Sequence, residues 1–191
     1  MIQHSPFDSV AKEYDDLYEE QLITKELRPL IRKSLIDYLK PGDHILELNC
    51  GTGTDAIAFA QEGINVMATD LSEVMLETSS RKVGERHLEN RITFRQVDFN
   101  SFSPATFNNA RFDGVFSNFD GLNCSPNIAH VLDAIADCLK PRGTVVMCVL
   151  NKVCIWEIAT FLLRGNVKSA FRRFNKGTQI ATVGDSTVPV W

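Results

Sequence analysis

Glycines and an acidic residue stand together where an apolar run of the chain ends. In ILELNCGTGTDA, residues 45–56, the run contains Glu47 and leads into Gly51-Thr52-Gly53. Glycine adopts positive φ and lets a ligand approach the backbone without a Cβ in the way, and a helix beginning there offers free N–H groups. The pattern favours a turn that binds a small molecule, although a tight strand-to-helix turn without a ligand would use the same glycines.

Carboxylates follow the next two apolar runs. Asp70 ends the run VMATD, and Asp98 ends RQVD, directly before Phe99. At the first position a carboxylate can accept hydrogen bonds from both hydroxyls of a ribose. At the second, Asp98 can accept from an exocyclic amine while Phe99 packs on the face of a ring. Each acid alone could be a solvated loop residue, but together they indicate a nucleoside.

A polar cluster follows a fourth apolar run, in FDGVFSNFDGLNC. It contains Asn118, Phe119, Asp120 and Asn123. Polar side chains beside an aromatic ring at the end of a strand indicate a binding site. Asn and Asp turns that merely stabilise a loop would use the same residue types.

Alternating strands and helices must position these residues. We predict strands at 44–49, 64–69, 92–97, 112–117 and 144–150, and helices at 7–20, 25–39, 54–61, 73–87 and 126–139. This alternation predicts parallel strands joined by right-handed crossovers, and the near-continuous apolar strands indicate that both faces are covered. The sequence therefore predicts an α/β fold: a doubly wound, Rossmann-like, mostly parallel sheet with helices on both faces. Such sheets bind ligands beyond the carboxyl ends of their strands, where the polar residues fall.

Length and composition narrow the classes of function. The 191 residues suit one domain, and a net charge of −4 with a pI near 5.6 argues against nucleic acid as a partner. The polar, acidic N-terminus is unlike a signal peptide, and no apolar run has the length of a membrane span. Five cysteines without a C-x-x-C pair indicate the reducing cytoplasm, and four scattered histidines predict no metal site.

Several motifs in this order resemble those of the class I S-adenosylmethionine-dependent methyltransferases, specifically the small-molecule enzymes. ILELNCGTG resembles their first motif, VMATDLSEVML the ribose-binding second and FRQVDFNSF the adenine-binding third. FDGVFSNFDGLN resembles the motif of the fourth strand, and LKPRGTVVM resembles the segment leading into the fifth. FDSVAKEYDDLY resembles the N-terminal helix that these enzymes fold over the cofactor. The resemblance covers about 150 residues.

The resemblance implies S-adenosyl-L-methionine as the cofactor and gives roles to particular residues. At the nucleoside end, Asp70 would hold the ribose, Leu71 and Met75 would flank the adenine, Asp98 would meet the adenine amine and Phe99 would border the ring.

The same resemblance places residues at the methionine end. Glu47 would orient the loop, Gly51 and Gly53 would lie against the methionine, Asn118 would receive its amine through the backbone with Phe119 nearby, and Tyr14 would cover the site. Asn49 would also border the cofactor, at a position where the family often has Gly-Cys or Ala.

The resemblance further implies a methyl transfer to a small-molecule acceptor within a single domain. We expect N-terminal cap helices in residues 1–40, a cofactor-binding core in 44–150, and acceptor-side helices and a hairpin in 151–191. Transfer from a sulfonium is an in-line displacement, so positioning supplies most of the catalysis, and a general base is needed only for a protonated acceptor. No catalytic residue is evident from the sequence.

Two alternatives remain open from the residues. Gly51-x-Gly53-x-x-Ala56 with Asp70 also satisfies the dinucleotide fingerprint of an NAD(P)-dependent oxidoreductase. Asp98 and the helical segment before the first strand argue against it. The second alternative is a non-catalytic nucleoside-binding module, which would bind the cofactor without transferring a methyl group.

The last part of the chain gives three further expectations. Residues 153–163 are apolar almost all round and should pack on the core or under a lid, and residues 178–190 suggest a hairpin. Arg164, Lys168 and Arg172 form a basic stripe that suits a solvated helix face or an anionic acceptor. The family normally adds two C-terminal strands, one antiparallel, which appear missing or truncated here. We therefore expect the fifth strand to be an exposed edge, or to pair with another chain in a homo-oligomer.

Overall fold

The computed structural model describes residues 5–19, 21–98, 101–119, 121–151, 153–174, 179–183 and 186–190. Its main sheet contains five strands in the order β3-β2-β1-β4-β5, and every neighbouring pair is parallel. The strands are β1 His44–Leu48, β2 Asn65–Asp70, β3 Ile92–Gln96, β4 Phe112–Ser117 and β5 Leu139–Met147. The winding reverses between β1 and β4, which confirms the predicted doubly wound α/β fold.

Helices cover both faces of this sheet. They are α1 Leu22–Ile36, α2 Thr54–Gln61, α3 Glu73–Gly84, α4 Ile128–Cys138, α5 Ile155–Leu163 and α6 Val167–Ala170. Successive residues of β1 point to opposite faces: Ile45 packs in the apolar cluster with α1, α2 and α3, whereas Leu46 packs in the cluster with α4. Both side chains are fully buried. The core therefore lies in two layers, one on each side of β1.

The N-terminal segment, residues 5–19, departs from the predicted continuous helix at 7–20. It forms a short 3₁₀ turn at Asp8–Val10 and a π-helical stretch at Asp15–Glu19. Side chains of both pieces hydrogen-bond to the rest of the domain: Ser72 donates to Asp8, and Thr52 donates to Asp15. These tertiary contacts outweigh the local helical preference that the apolar spacing indicates.

The fifth strand begins earlier than predicted. Leu139 already pairs with Phe112, while the next paired residue, Thr144, lies opposite Gly114. Residues 140–143, which lie between the predicted helix and the predicted fifth strand, thus form a bulge within β5, with Arg142 at a φ of 68°. In the described sheet β5 pairs with β4 alone and forms an edge.

The C-terminal part of the chain corrects one expectation and confirms another. Residues 153–163 were expected to pack on the core or under a lid, but none of the residues of α5 is buried. Trp156 is 83% exposed and Leu163 is 90% exposed. The predicted hairpin is confirmed: β6 Gln179–Val183 pairs antiparallel with β7 Ser186–Val190. Helices that are both long and apolar enough to cross a membrane are absent from the described residues.

Candidate functional site

A cavity of about 340 Å³ lies at the carboxyl ends of β1, β2 and β4, beneath the N-terminal segment. Its position at the reversal of the winding is where doubly wound sheets bind ligands. Nine of the residues that the sequence singled out line it: Tyr14, Asn49, Gly51, Asp70, Leu71, Met75, Asp98, Asn118 and Phe119. These side chains come from separate parts of the chain, and the fold brings them to one opening.

Two residues with a predicted cofactor contact, Gly53 and Glu47, do not line the described cavity. Gly53 faces helix α3, because a Cβ there would lie 1.9 Å from the Ser79 hydroxyl. Glu47 lies within β1 and is 2% exposed. Phe99 falls outside the described residues, as does Asp120 of the fourth motif. The direct cofactor contacts assigned to these positions stay predictions.

Gly51 and Gly53 therefore have different structural roles in the loop. Gly51 has a φ of 53°, and a Cβ built on it meets no atom of the described structure within 4 Å. Gly53 has a φ of 79° and allows close packing of α2 against α3. Gly51 is thus the glycine whose missing side chain leaves space in the cavity.

Asp70 fixes the glycine loop as well as lining the cavity. Its Oδ2 accepts a hydrogen bond from the backbone N–H of Gly51 at 2.9 Å, and its Oδ1 accepts from Ser72 N–H at 2.9 Å. Burial raises the pKa of Asp70, and these backbone hydrogen bonds oppose the rise. A carboxylate has about four acceptor sites, so Asp70 keeps acceptor capacity for a donor in the cavity.

Asn49 ties the ends of β1 and β4 together. Its Nδ2 donates to the carbonyl of Asn118 at 2.6 Å, and its Oδ1 accepts from the hydroxyl of Ser117 at 2.5 Å. Gly121 packs so closely on the Asn49 amide that a Cβ there would lie 2.3 Å from its Cγ. The departure from the family's usual residue is therefore accommodated by an amide bridge, with Asn49 held at a φ of 49°.

A buried charge cluster lies behind the cavity, and the sequence analysis missed it. Asp55, which is 2% exposed, pairs with Arg28, and also with Arg32 at 2.9 Å. Asn118 Nδ2 donates to the same carboxylate at 3.1 Å, and the guanidinium of Arg28 lies 4.3 Å from the centroid of the Phe119 ring. The sequence contains only a partial signal: Arg28 and Arg32 lie four residues apart on one helix, but their spacing does not show that they pair with an acid on another.

Glu47 stands next to this charge cluster. Burial raises the pKa of its carboxyl well above the usual value, and the negative charge of Asp55 raises it further. Its Oε2 is buried and has no hydrogen-bond partner in the described part of the chain. A carboxyl in this setting favours its neutral, protonated form.

The N-terminal segment closes the cavity from above. Val10 and Ala11 are buried against Met75, with Phe7 and Tyr14 packed beside them.

Metal-binding groups of three or more His, Cys, Asp or Glu side chains were not found in the described residues. Among the described residues that line the cavity, Arg28 is the one with a positively charged side chain.

Residues 45–143, about half of the chain, match the family described as "Methyltransferase domain". The chain belongs to this family of class I S-adenosylmethionine-dependent methyltransferases. It is 33% identical to a demethylmenaquinone methyltransferase of Clavibacter sepedonicus over 144 residues, which are 74% of this chain and 55% of that protein. The chain spans between 55% and 66% of the length of the first curated relatives that it matches.

Solved structures share the methyltransferase fold. The structure of a DhpI complex with SAM and HEP is 18% identical in sequence to this chain, with a TM-score of 0.65. The aligned region covers 96% of this chain and 77% of the DhpI chain. The structure of the [4+2]-cyclase SpnF is 22% identical in sequence to this chain, with a TM-score of 0.59. The aligned region covers 83% of this chain and 59% of the SpnF chain. At these identities the likeness shows the fold, and SpnF illustrates that one fold hosts different reactions.

Proposed function

We propose that this protein transfers the methyl group of S-adenosyl-L-methionine to a small-molecule acceptor. The observation that carries the proposal is the open space at Gly51, with Asp70 and Asp98 at the tips of successive strands beside it. The family match favours this cofactor over a nicotinamide dinucleotide. The match to a demethylmenaquinone methyltransferase supports a small acceptor.

At the nucleoside end, Asp70 accepts from the ribose and Asp98 from the adenine amine. Leu71 and Met75 line the same part of the cavity, and Met75 is 2% exposed. Apolar walls on both sides of a flat ring, with acids at its polar edges, suit an adenosine. Phe99 follows Asp98 directly and keeps its proposed place at the ring border.

At the methionine end, the cofactor's amine meets the backbone near Asn118 and its carboxylate meets Arg28. Arg28 is held from behind by Asp55 and lies over Phe119, so its guanidinium is oriented before the ligand arrives. Glu47 and Gly53 act indirectly, Glu47 beneath the loop and Gly53 at the contact of α2 with α3. Both help to hold Gly51 in place.

The chemical step needs positioning more than proton transfer. The sulfonium methyl is already activated, so the protein aligns the acceptor with the methyl–sulfur bond and excludes water. Cys124 and Val188 line the cavity near Phe119 and give the acceptor a mostly apolar wall.

We assign residues 1–40 to the cap, 44–150 to the cofactor-binding core, and 151–191 to the acceptor side. The open edge of β5 also allows a homo-oligomer, and five cysteines that form no disulfide bond in the described structure suit the cytoplasm.

Substitution of Gly51 tests the proposal without touching a charged group. Gly51→Ala places a methyl in the cavity, and we expect affinity for S-adenosylhomocysteine to fall at least about tenfold by calorimetry, since the methyl takes ligand space. Gly165→Ala is the matched control, because Gly165 also has positive φ, 71°, and also has nothing within 4 Å of a built Cβ. Both variants should lose about 1 kcal/mol of stability through backbone strain.

The outcomes separate the alternatives. If Gly51→Ala and Gly165→Ala bound S-adenosylhomocysteine with equal affinity, Gly51 would not belong to the cofactor site. A wild-type protein that binds NAD and not S-adenosylhomocysteine would overturn the proposal in favour of a dehydrogenase. Binding of the cofactor without release of labelled methyl to any pool of small acceptors would indicate the non-catalytic module.

A further inference from the structure

We propose that Lys82 is a positioning residue that locks the N-terminal segment over the bound cofactor and so sets how fast the cofactor and its product leave. The inference rests on the proposed function, because it assigns a role at the same cavity. It concerns a contact between Lys82 on α3, Asp15 of the N-terminal segment and Thr52 of the glycine loop. We call this contact the latch.

Within the latch, Lys82 and Thr52 are largely shielded from water, whereas the Asp15 side chain is 39% exposed. Lys82 Nζ lies 2.6 Å from Asp15 Oδ2, and the Lys82 side chain is 13% exposed. Thr52, which is 2% exposed, donates its hydroxyl to Asp15 Oδ1 at 2.5 Å. Lys82 also reaches the hydroxyls of Thr52 at 3.3 Å and Thr54 at 3.4 Å. One carboxylate thus joins three separate elements of the fold.

The latch holds residues that line the cavity, so we expect it to affect ligand release as well as the stability of the fold. Asp15 directly follows Tyr14, which lines the cavity. Thr52 stands between Gly51 and Gly53, so the same hydrogen bond that holds Asp15 also holds the glycine loop. At its other end the N-terminal segment is held by Ser72, whose hydroxyl donates to Asp8 at 2.5 Å. Opening at Asp15 would therefore move Tyr14 away from the cavity while Asp8 stays attached.

The ion pair between Lys82 and Asp15 explains why the N-terminal segment stays closed over the cavity although it forms no continuous helix. Two short pieces, Asp8–Val10 and Asp15–Glu19, bury few side chains of their own. Few buried contacts mean a low free energy of local opening. The charge-assisted hydrogen bond from the mostly buried Lys82 supplies a closing contact that does not depend on the length of a helix.

The test measures dissociation rather than turnover. In stopped-flow displacement of S-adenosylhomocysteine, we expect Lys82→Met to raise the dissociation rate about three- to tenfold and the association rate by less, since a partly buried charged hydrogen bond is lost. Lys82→Arg should restore much of the wild-type rate. Asp15→Asn should raise the rate as Lys82→Met does, and the double variant should add little to either, because both changes break one contact.

Arg81→Met is the matched control. Arg81 is the neighbour of Lys82 on α3, and its ion pair with Glu85 at 2.7 Å is exposed and away from the cavity. We expect its dissociation rate to equal that of the wild type. Higher salt should speed release from the wild type and leave Lys82→Met nearly unchanged, since salt screens the partly exposed Asp15.

Each result decides between a latch and a merely structural ion pair. If Lys82→Met loses stability but releases S-adenosylhomocysteine at the rate of Arg81→Met, the latch is overturned. Should Lys82→Met not fold, Asp15→Asn carries the same test from the more exposed side of the pair. A wild-type protein that does not bind S-adenosylhomocysteine at all would instead overturn the proposed function.

Discussion

The cavity end of the sheet buries polar side chains, whereas helix α5, which follows β5, exposes apolar ones. Around the cavity, Thr52 and Asp55 are each 2% exposed and Asn118 is 4% exposed, although all three are polar. In α5, Trp156 and Leu163 are apolar, yet they are 83% and 90% exposed. Burial in this chain therefore follows the position of a residue relative to the sheet and not its polarity alone.

The difference has a physical cause. Polar groups at the strand ends are buried because each finds a partner: Asp55 meets two arginines and an amide, and Thr52 meets Asp15. Helix α5 and the basic residues after it contact each other instead, with Glu157 accepting from Arg172 at 2.8 Å and from Arg173 at 2.5 Å. Helix α5 contacts α6, but this contact leaves the apolar side chains of Trp156 and Leu163 exposed.

The largest effect should come from removing the centre of the charge cluster. Asp55→Ala leaves Arg28 and Arg32 charged at only 11% and 17% exposure, so we expect a loss of about 3–5 kcal/mol in urea unfolding. Asp37→Ala is the control, because Asp37 pairs with Lys33 at an exposed site of the same region and should change stability by less than about 1 kcal/mol. Equal losses in the two variants would contradict a buried cluster.

A smaller and pH-dependent effect should follow from Glu47→Gln. Because the pKa of Glu47 is raised in the folded protein, its ionisation costs stability as pH rises from its ordinary value, 4.5, to its folded value. Below that window both states hold the proton and the cost is absent. Glu47→Gln should therefore be as stable as the wild type at about pH 4 and more stable than the wild type near neutral pH.

Unfolding by urea at a series of pH values checks this prediction. The stability difference between Glu47→Gln and the wild type should grow with pH at up to about 1.4 kcal/mol for each unit of the window. A difference that stays constant across the series would show that the carboxyl of Glu47 ionises alike in the folded and unfolded chains.

The sequence predicted the features that depend on nearby residues. The strand tips at Gly51, Asp70 and Asn118 follow from an apolar run, a turn and a polar residue within a few positions. The partners of Asp55 could not be predicted in this way, since Arg28 lies 27 residues earlier and both residue types are usual on surfaces.

The two errors of prediction at the ends of the chain have a common origin. The apolar spacing around Val10 and Tyr14 indicated one helix, but contacts of Asp8 and Asp15 with distant hydroxyls divide it. The apolar pattern of α5 indicated burial, but periodicity cannot show whether another element lies against a helix. Both outcomes depend on partners that are distant in the sequence.

The smallest effect should come from the apolar side of α5. Leu163→Ala changes a side chain that is 90% exposed, so it should alter stability by less than about 0.5 kcal/mol. The same substitution at Leu35, a fully buried residue of α1, should cost about 2–5 kcal/mol. A loss at Leu163 comparable to that at Leu35 would mean that α5 is covered in solution. Repeating the measurement over a range of protein concentrations would then show whether a second copy covers it, because only association makes the midpoint of unfolding depend on concentration.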